Sequence, residues 1–310
     1  MPSRFSIRDC LPAYSEDDCA GALFAAKWPH GFRCPRCSHP SYYEVSSRGR
    51  RLFECRSCRH QTSLTAGTVL EGSRTPLAKW FQAMYLMQIG ISAKLLAELI
   101  HVTYKTAWLI NHKLRDAIGQ WDLERPLEGT VQLLGEYYGY EYHRHLGSPN
   151  AQQSLKPQPV VAGGTINDAE QFVHLKIKAV DGPEGDGAAR RDTADGEEAA
   201  ERFVQLHVAD GHTTILPGGH HGRSALHLAW RDAVRWLSWT FGGIGPKHLQ
   251  AYLNEFAFRL SFRTAALAEL IGCCGSYRKI TYRGLVGPRS GIRPLMWRFR
   301  RRARHERNAV

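Results

Sequence analysis

The sequence predicts a multidomain α/β chain: a small metal-stapled module, a helical block, a mixed α/β core and a basic tail. Three observations carry that prediction. Four cysteines fall in two Cys-x-x-Cys pairs, and helical spacing of apolar residues gives way to strand-like runs near residue 128. Residues 278–310 hold eleven Lys/Arg against one acid, Glu306.

Residues 1–30 read as a helical lead-in. Ser15 is a helix-opening residue, and the apolar side of Glu16–Phe24 is expected to pack on the module that follows. That module, residues 31–70, carries the pairs Cys34-Pro35-Arg36-Cys37 and Cys55-Arg56-Ser57-Cys58, with seventeen residues between them. Such spacing suits a tetrahedral Cys₄ zinc site, with Cys34, Cys37, Cys55 and Cys58 as ligands. Two disulfides are the rival reading, but they belong to small secreted domains, and this chain has no secretory features. Four closed ligands leave no open coordination position, so the zinc is structural. Residues 42–45 and 51–54 read as a hairpin joining the knuckles. Arg33, Arg36, Arg48, Arg50, Arg51, Arg56 and Arg59 give this ribbon a surface suited to phosphates.

Residues 71–122 read as three helices. Thr75-Pro76 opens the first, which carries Leu77, Trp80, Phe81, Met84 and Met87 at helical spacing and ends at Gly90. Ser92 opens the second, His101-Val102-Thr103 makes a tight turn, and the third runs from Tyr104 to Ile118. Two short helices joined by a three-residue turn have helix-turn-helix geometry. On that reading Tyr104, Lys105, Thr106, Asn111, His112, Lys113 and Arg115 face DNA, while Ala107, Leu109, Ile110 and Leu114 are core. A trihelical block is also common structural filler; its place directly after a basic ribbon favours the DNA-binding alternative.

Residues 128–270 form the core. Strands are expected over 130–138, 159–166 and 171–180, the last two as a hairpin at Asn167-Asp168, with a further strand at 213–216. Helices are expected over 197–208, 224–241 and 245–268, and residues 181–198 read as a mobile loop. Cys10, Cys19, Cys273 and Cys274 lack partners at ligand spacing and read as buried free thiols.

Formal net charge is +12, of which residues 278–310 contribute +10. This tail, with Arg300, Arg301 and Arg302 at its centre, reads as a nucleic-acid arm acting through counterion release; the bland alternative is a solvated tail. No apolar run approaches a membrane span and no signal segment opens the chain, so a soluble intracellular protein without a membrane partner is expected.

The ribbon, the trihelical block and the stretch Lys247-His248-Leu249-Gln250-Ala251-Tyr252-Leu253-Asn254-Glu255-Phe256-Ala257-Phe258-Arg259, with Arg235-Trp236-Leu237 before it, resemble the bacterial zinc-ribbon insertion-sequence transposases. The resemblance spans roughly residues 15–265. It implies an RNase H-like core with DDE-type chemistry, in which carboxylates hold two Mg²⁺ ions for phosphoryl transfer. It also implies double-stranded element ends as the partner, a homo-oligomer, and a cytoplasmic, nucleoid-associated location.

Aligned to that family, the first acid position holds Leu134 and the second Pro217; the third falls on His227, matching a branch with His there. Leu134 and Pro217 cannot bind a metal ion. Glu136 is a displaced acid on the same strand face as Leu134, roughly 7 Å along. The expectation is therefore a DNA-binding member of the family whose cleavage and strand-transfer site is degenerate. The alternatives are an active two-metal enzyme using displaced carboxylates, with Mg²⁺ needed only in that case, and a co-opted DNA-binding regulator.

Overall fold

A computed structural model describes residues 11–47, 50–139, 158–167, 171–180, 193–218 and 222–286. They fall into two compact units. One comprises the chain up to Glu124 together with Phe262–Tyr282; the other comprises Arg125–Ser261 and the chain from Arg283.

The first unit begins with helix α1 (Glu16–Lys27), whose N-cap Ser15 accepts a hydrogen bond from the Asp18 amide. Three acids in the first turn and Lys27 in the last complement the helix dipole. Strands β1 (Tyr42–Ser47), β2 (Arg50–Cys55) and β3 (Gln61–Ser63) form an antiparallel sheet in that order, Tyr42 pairing with Cys55 and Phe53 with Thr62. Phe24 of α1, Trp28 just past its end, Phe32, Tyr42 and Phe53 meet one another at ring separations of 4.8–6.2 Å. These rings and the buried Cys34 and Cys55 make a small core. Aromatic burial on that scale compensates for the little apolar surface so small a sheet can bury. Lys27 ties the helix to the chain beyond β3, donating to the carbonyls of Ser63, Leu64 and Ala66 at 2.6–3.0 Å.

Helices α2 (Leu77–Met87), α3 (Ala93–Leu99) and α4 (Tyr104–Glu124) follow. Trp80, Phe81, Met84 and Met87 lie on the buried face of α2, and Ser92 caps α3 through the Leu95 amide. Six residues past the expected end at Ile118, α4 stops at Glu124, its last turns burying Trp121 and Asp122.

In the second unit, β4 (Leu127–Glu128) pairs in parallel with β8 (Val208–Asp210). The main sheet holds β5 (Val131–Tyr138), β6 (Gln158–Ile166), β7 (Phe172–Ala179) and β9 (Thr213–Leu216) in the order β7-β6-β5-β9. The first three strands are antiparallel in sequence, and β9 runs parallel to β5. The alternation of Val131, Leu133 and Val161 against Leu134, Val160 and Ala162 sends side chains to both faces. Helix α5 (Thr193–His207) covers one face through Ala200 and Phe203. A side chain at Gly163 would run into the Phe203 ring, so glycine permits that close approach. Helices α6 (Ala225–Phe241) and α7 (Pro246–Phe262) cover the other face. Gly242, at φ 69°, ends α6 in a left-handed cap.

The helix expected over 245–268 is two helices. α7 ends at Phe262, Arg263 takes a positive φ of 42° in a 3₁₀ turn, and α8 (Ala266–Ser276) starts anew before the short α9 (Tyr282–Val286). α8 belongs to the first unit, where Gly275 packs directly on Ala26 of α1 and the Val69 amide donates to the Cys274 carbonyl. Cys19, Cys273 and Cys274 are buried free thiols as expected; Cys10 lies outside the described residues, as do 181–192 of the expected loop.

Candidate metal centre and nucleic-acid interface

The two Cys-x-x-Cys turns are built alike. The Cys34 amide donates to the His39 carbonyl at 3.1 Å, and the Ser38 amide returns to the Cys34 carbonyl at 2.9 Å. The Cys55 amide donates to His60 at 2.9 Å and the Arg59 amide to Cys55 at 3.1 Å, so the second knuckle repeats the first. Ser38 and Arg59 occupy the same place in each and share a left-handed φ of 59° and 54°. That conformation, strained for a side-chain-bearing residue, turns each loop so that both sulfurs face inward.

All four Sγ atoms lie within 4.8 Å of one another, with Cys34 3.6 Å from Cys58 and Cys37 3.5 Å from Cys55. A tetrahedron with Zn–S bonds of about 2.3 Å has S···S edges of about 3.8 Å, so the donor set is of the size that Zn²⁺ takes. All four are free thiols, which removes the disulfide alternative. The Arg36 amide donates to Cys34 Sγ at 3.4 Å, supporting thiolate charge. Desolvation pushes the Cys55 thiol up, but the amides of Cys58 and Ser57 and the neighbouring sulfurs outweigh it and bring the group down to about 7. Among the described residues no other three His, Cys, Asp or Glu side chains converge on one metal position.

Around this centre the arginines divide. Arg33 and Arg36 are exposed. Arg56 lies 4.5 Å above the Tyr43 ring and donates to the Tyr42 carbonyl at 3.3 Å. Arg51 pairs with Asp17 and Arg59 with Glu54, each at 3.0 Å. Arg48 and the side chain of Arg50 lie outside the described residues, as do Arg300, Arg301 and Arg302.

In the helical block, Tyr104 and Lys105 are exposed and Thr106 half-buried. Asn111, His112, Lys113 and Arg115 are at most 8% exposed, which corrects their expected place on a DNA face. Lys113 Nζ donates to the Val69 carbonyl at 3.2 Å and sits 5.8 Å from the Trp80 ring centre, so it serves the interior of its unit. A charged side chain buried this way has its hydrogen bonds made internally and offers nothing to a ligand.

The positions singled out in the core come together. Leu134 on β5 pairs with Leu216 on β9, one residue before Pro217. His227, in the first turn of α6, reaches back to the Pro217 carbonyl with Nε2 at 3.0 Å and meets the Ser224 hydroxyl with Nδ1 at 2.7 Å. A carbonyl only accepts, so Nε2 carries the proton and Nδ1 accepts from Ser224. Both ring nitrogens are thereby engaged, and Gly222 lies against the ring so closely that a side chain there would overlap it. Leu134 is fully buried in the apolar cluster with Leu226 and Trp230. Glu136, two residues along β5, is half-buried opposite Val160.

Sequence reasoning missed the purpose of the polar residues in α7. Among the described residues β7 is an edge strand, and its outward backbone groups face α7. Gln250 Nε2 donates to the Ile177 carbonyl at 2.9 Å, and Gln250 Oε1 accepts from the Ala179 amide at 2.8 Å. The Leu175 amide donates to Ser261 Oγ at 3.0 Å, and Asn254 Oδ1 accepts from both Gln250 and the buried Lys178. One helix therefore stands in for the missing neighbour strand. The glutamine-to-asparagine interval of four residues, one helical turn, was the available clue.

Comparison with known proteins adds descent. A family model described as a transposase zinc-ribbon domain matches residues 14–61. A Halobacterium salinarum protein, described as an uncharacterized protein in transposable element ISH50, is 32% identical over 276 residues. That match takes in 79% of this chain and 90% of the relative. No solved structure matches.

Proposed function

The chain belongs to the zinc-ribbon insertion-sequence transposase family, and on that premise we propose that it binds double-stranded DNA at element ends through its N-terminal unit without cutting it. Zn²⁺, bound by Cys34, Cys37, Cys55 and Cys58, acts as a crosslink that holds the two knuckles in register. Arg33, Arg36 and Arg56 on the ribbon meet phosphates, and α3 with α4 acts as a helix-turn-helix whose second helix offers Tyr104, Lys105 and Thr106. The basic segment from Arg278 onward adds counterion-release affinity. Assembly as a homo-oligomer on paired ends and a nucleoid location go with this reading.

The core reads as an RNase H-like fold, supported by the order β7-β6-β5-β9 with three antiparallel strands and a fourth parallel to the first. One observation carries the loss of cleavage. In the middle of β5 and just past the end of the adjoining β9, where the family places two carboxylates, the chain has Leu134 and Pro217, with His227 bound to the Pro217 carbonyl. Hard Mg²⁺ requires oxygen ligands, and apolar packing with one backbone carbonyl supplies no anionic set.

The test is a gel shift and a nicking and strand-transfer assay on the same DNA, flanking the chain's own gene, with zinc-loaded protein and Mg²⁺ or Mn²⁺. Binding without cleavage is expected. Metal-dependent cleavage abolished by Glu136→Gln would overturn the proposal in favour of a displaced active site.

A further inference from the structure

Two of the most exposed aromatic residues of the first unit lie at or against the first turns of α4. Tyr104, the first residue of α4, is 57% exposed, and Tyr282 is 61% exposed. They are far apart in sequence, but the Tyr282 ring meets Trp108, one turn into α4, edge-on at 6.0 Å. Trp108 in turn meets the His112 ring at 4.1 Å, tilted by 43°.

The strap that delivers Tyr282 can be followed contact by contact. Tyr277 donates its hydroxyl to Glu124 at 2.7 Å, at the last turn of α4. One residue on, the Arg278 carbonyl accepts from Gln120 at 3.3 Å. Lys279 then pairs with Glu71 at 2.8 Å, and Tyr282 arrives at Trp108. Residues 277–282 thus run antiparallel along α4, from its C-terminal end to its first turns. Exposed Lys105 stands beside Tyr104, and neither 101–108 nor 278–283 contains an acid. Asn111, His112, Lys113 and Arg115 further along α4 are buried, so its exposed basic and aromatic side chains lie in the first turn.

We propose that Tyr104 and Lys105 of α4 and Tyr282 of the C-terminal strap form one composite contact surface for double-stranded DNA. The partner follows from the chemistry: exposed Lys105 next to Tyr104, with Tyr282 against the following turn and no acid in either segment, suits a polyanion that also presents planar groups and sugars. The surface rests on the DNA-binding reading above and deepens it. It makes a segment that follows the core part of the recognition surface, which neither the ribbon nor the helix-turn-helix reading alone requires.

Quantitative gel shifts with full-length zinc-loaded protein test this. Lys105→Ala, Tyr104→Ala and Tyr282→Ala are each expected to weaken duplex binding about tenfold at fixed salt, with unchanged zinc content and helicity. Lys105→Ala also lowers the slope of log affinity against log salt by about one, whereas the tyrosine variants leave it unchanged. Tyr104→Ala leaves the Tyr282–Trp108 contact in place, so it reads the surface even where Tyr282→Ala disturbs the strap. Wild-type affinity in Tyr104→Ala and Lys105→Ala, with Arg36→Ala still impaired, overturns the composite surface and leaves DNA binding by the ribbon standing. A wild-type chain that binds no duplex overturns the functional reading itself.

Discussion

His227 donates its Nε2 proton to the carbonyl oxygen of Pro217, 3.0 Å away, and so joins the start of α6 to the end of β9. A carboxylate-based metal site would hold these same elements together through an ion. Here a backbone carbonyl, an imidazole and the Ser224 hydroxyl do so, and Leu134 is buried in the apolar cluster with Leu226.

If the site is now apolar core, a carboxylate should be unwelcome in it. Leu134→Asp is expected to lower the unfolding free energy by about 3–5 kcal/mol, because it buries an unpaired charge and leaves a cavity. Leu134→Met should cost less than about 1.5 kcal/mol. Urea unfolding measures both. An aspartate tolerated at wild-type stability once Mg²⁺ is added would reveal a surviving metal pocket and sink the apolar-core reading.

Removing the zinc should unfold the ribbon rather than merely loosen it. Structural zinc supplies folding free energy outright, and the aromatic core around Phe32 and Phe53 is small. Cys37→Ser and Cys55→Ser should each lose stoichiometric zinc, as should a chelator, with loss of duplex binding in the gel shift. Full zinc content and wild-type affinity in these variants would contradict the assignment of ligands.

Gln250→Ala should expose the edge of β7. It leaves the Ile177 carbonyl and the Ala179 amide without their side-chain partner, at a cost of about 2–3 kcal/mol. Hydrogen exchange at the Ala179 amide is the direct measurement and should accelerate. Faster aggregation of the variant would accompany it, since an uncovered edge strand recruits other chains.

The strap should weaken in acid. The Lys279 ammonium, followed by the Gly67 amide, holds the Glu71 carboxyl below its ordinary value of 4.5. A carboxylate with a depressed folded pKa stabilises above its unfolded pKa and loses that stability as pH falls through the folded one. The contribution is therefore intact at neutral pH and lost below about pH 4.5. Both side chains are more than a third exposed, so screening limits the pair to about 1 kcal/mol or less. Glu71→Gln should flatten this part of the pH–stability curve, and chemical denaturation from pH 6 to pH 3 would reveal it.

What could be read from the sequence were the features set by local spacing. The cysteine intervals, Ser15 and Ser92 as caps, and the apolar stripe of α2 need only neighbours along the chain. Polarity misled at Asn111, Lys113 and Arg115, because a polar residue facing a polar interior looks the same in sequence as one facing solvent. Gln250 and Asn254 were distinctive without being explicable, since their role depends on a strand some seventy residues away. The break after Phe262 was invisible for a related reason: the apolar pattern continues through it, while the packing partner changes from the sheet to α1.

That change of partner bears on the order in which the protein can be made. The first unit lacks α8 and the strap until residue 282 has been synthesised, although its own first stretch ends at Glu124. At 5–20 residues per second, the ribosome needs roughly 8–30 s to cross that interval. Throughout it the faces of α1 and α4 that will receive α8 stay uncovered, and the intervening core has time to fold first. A product stopped short of α8 would lack a finished first unit, so on the proposed reading duplex binding would require translation through residue 282.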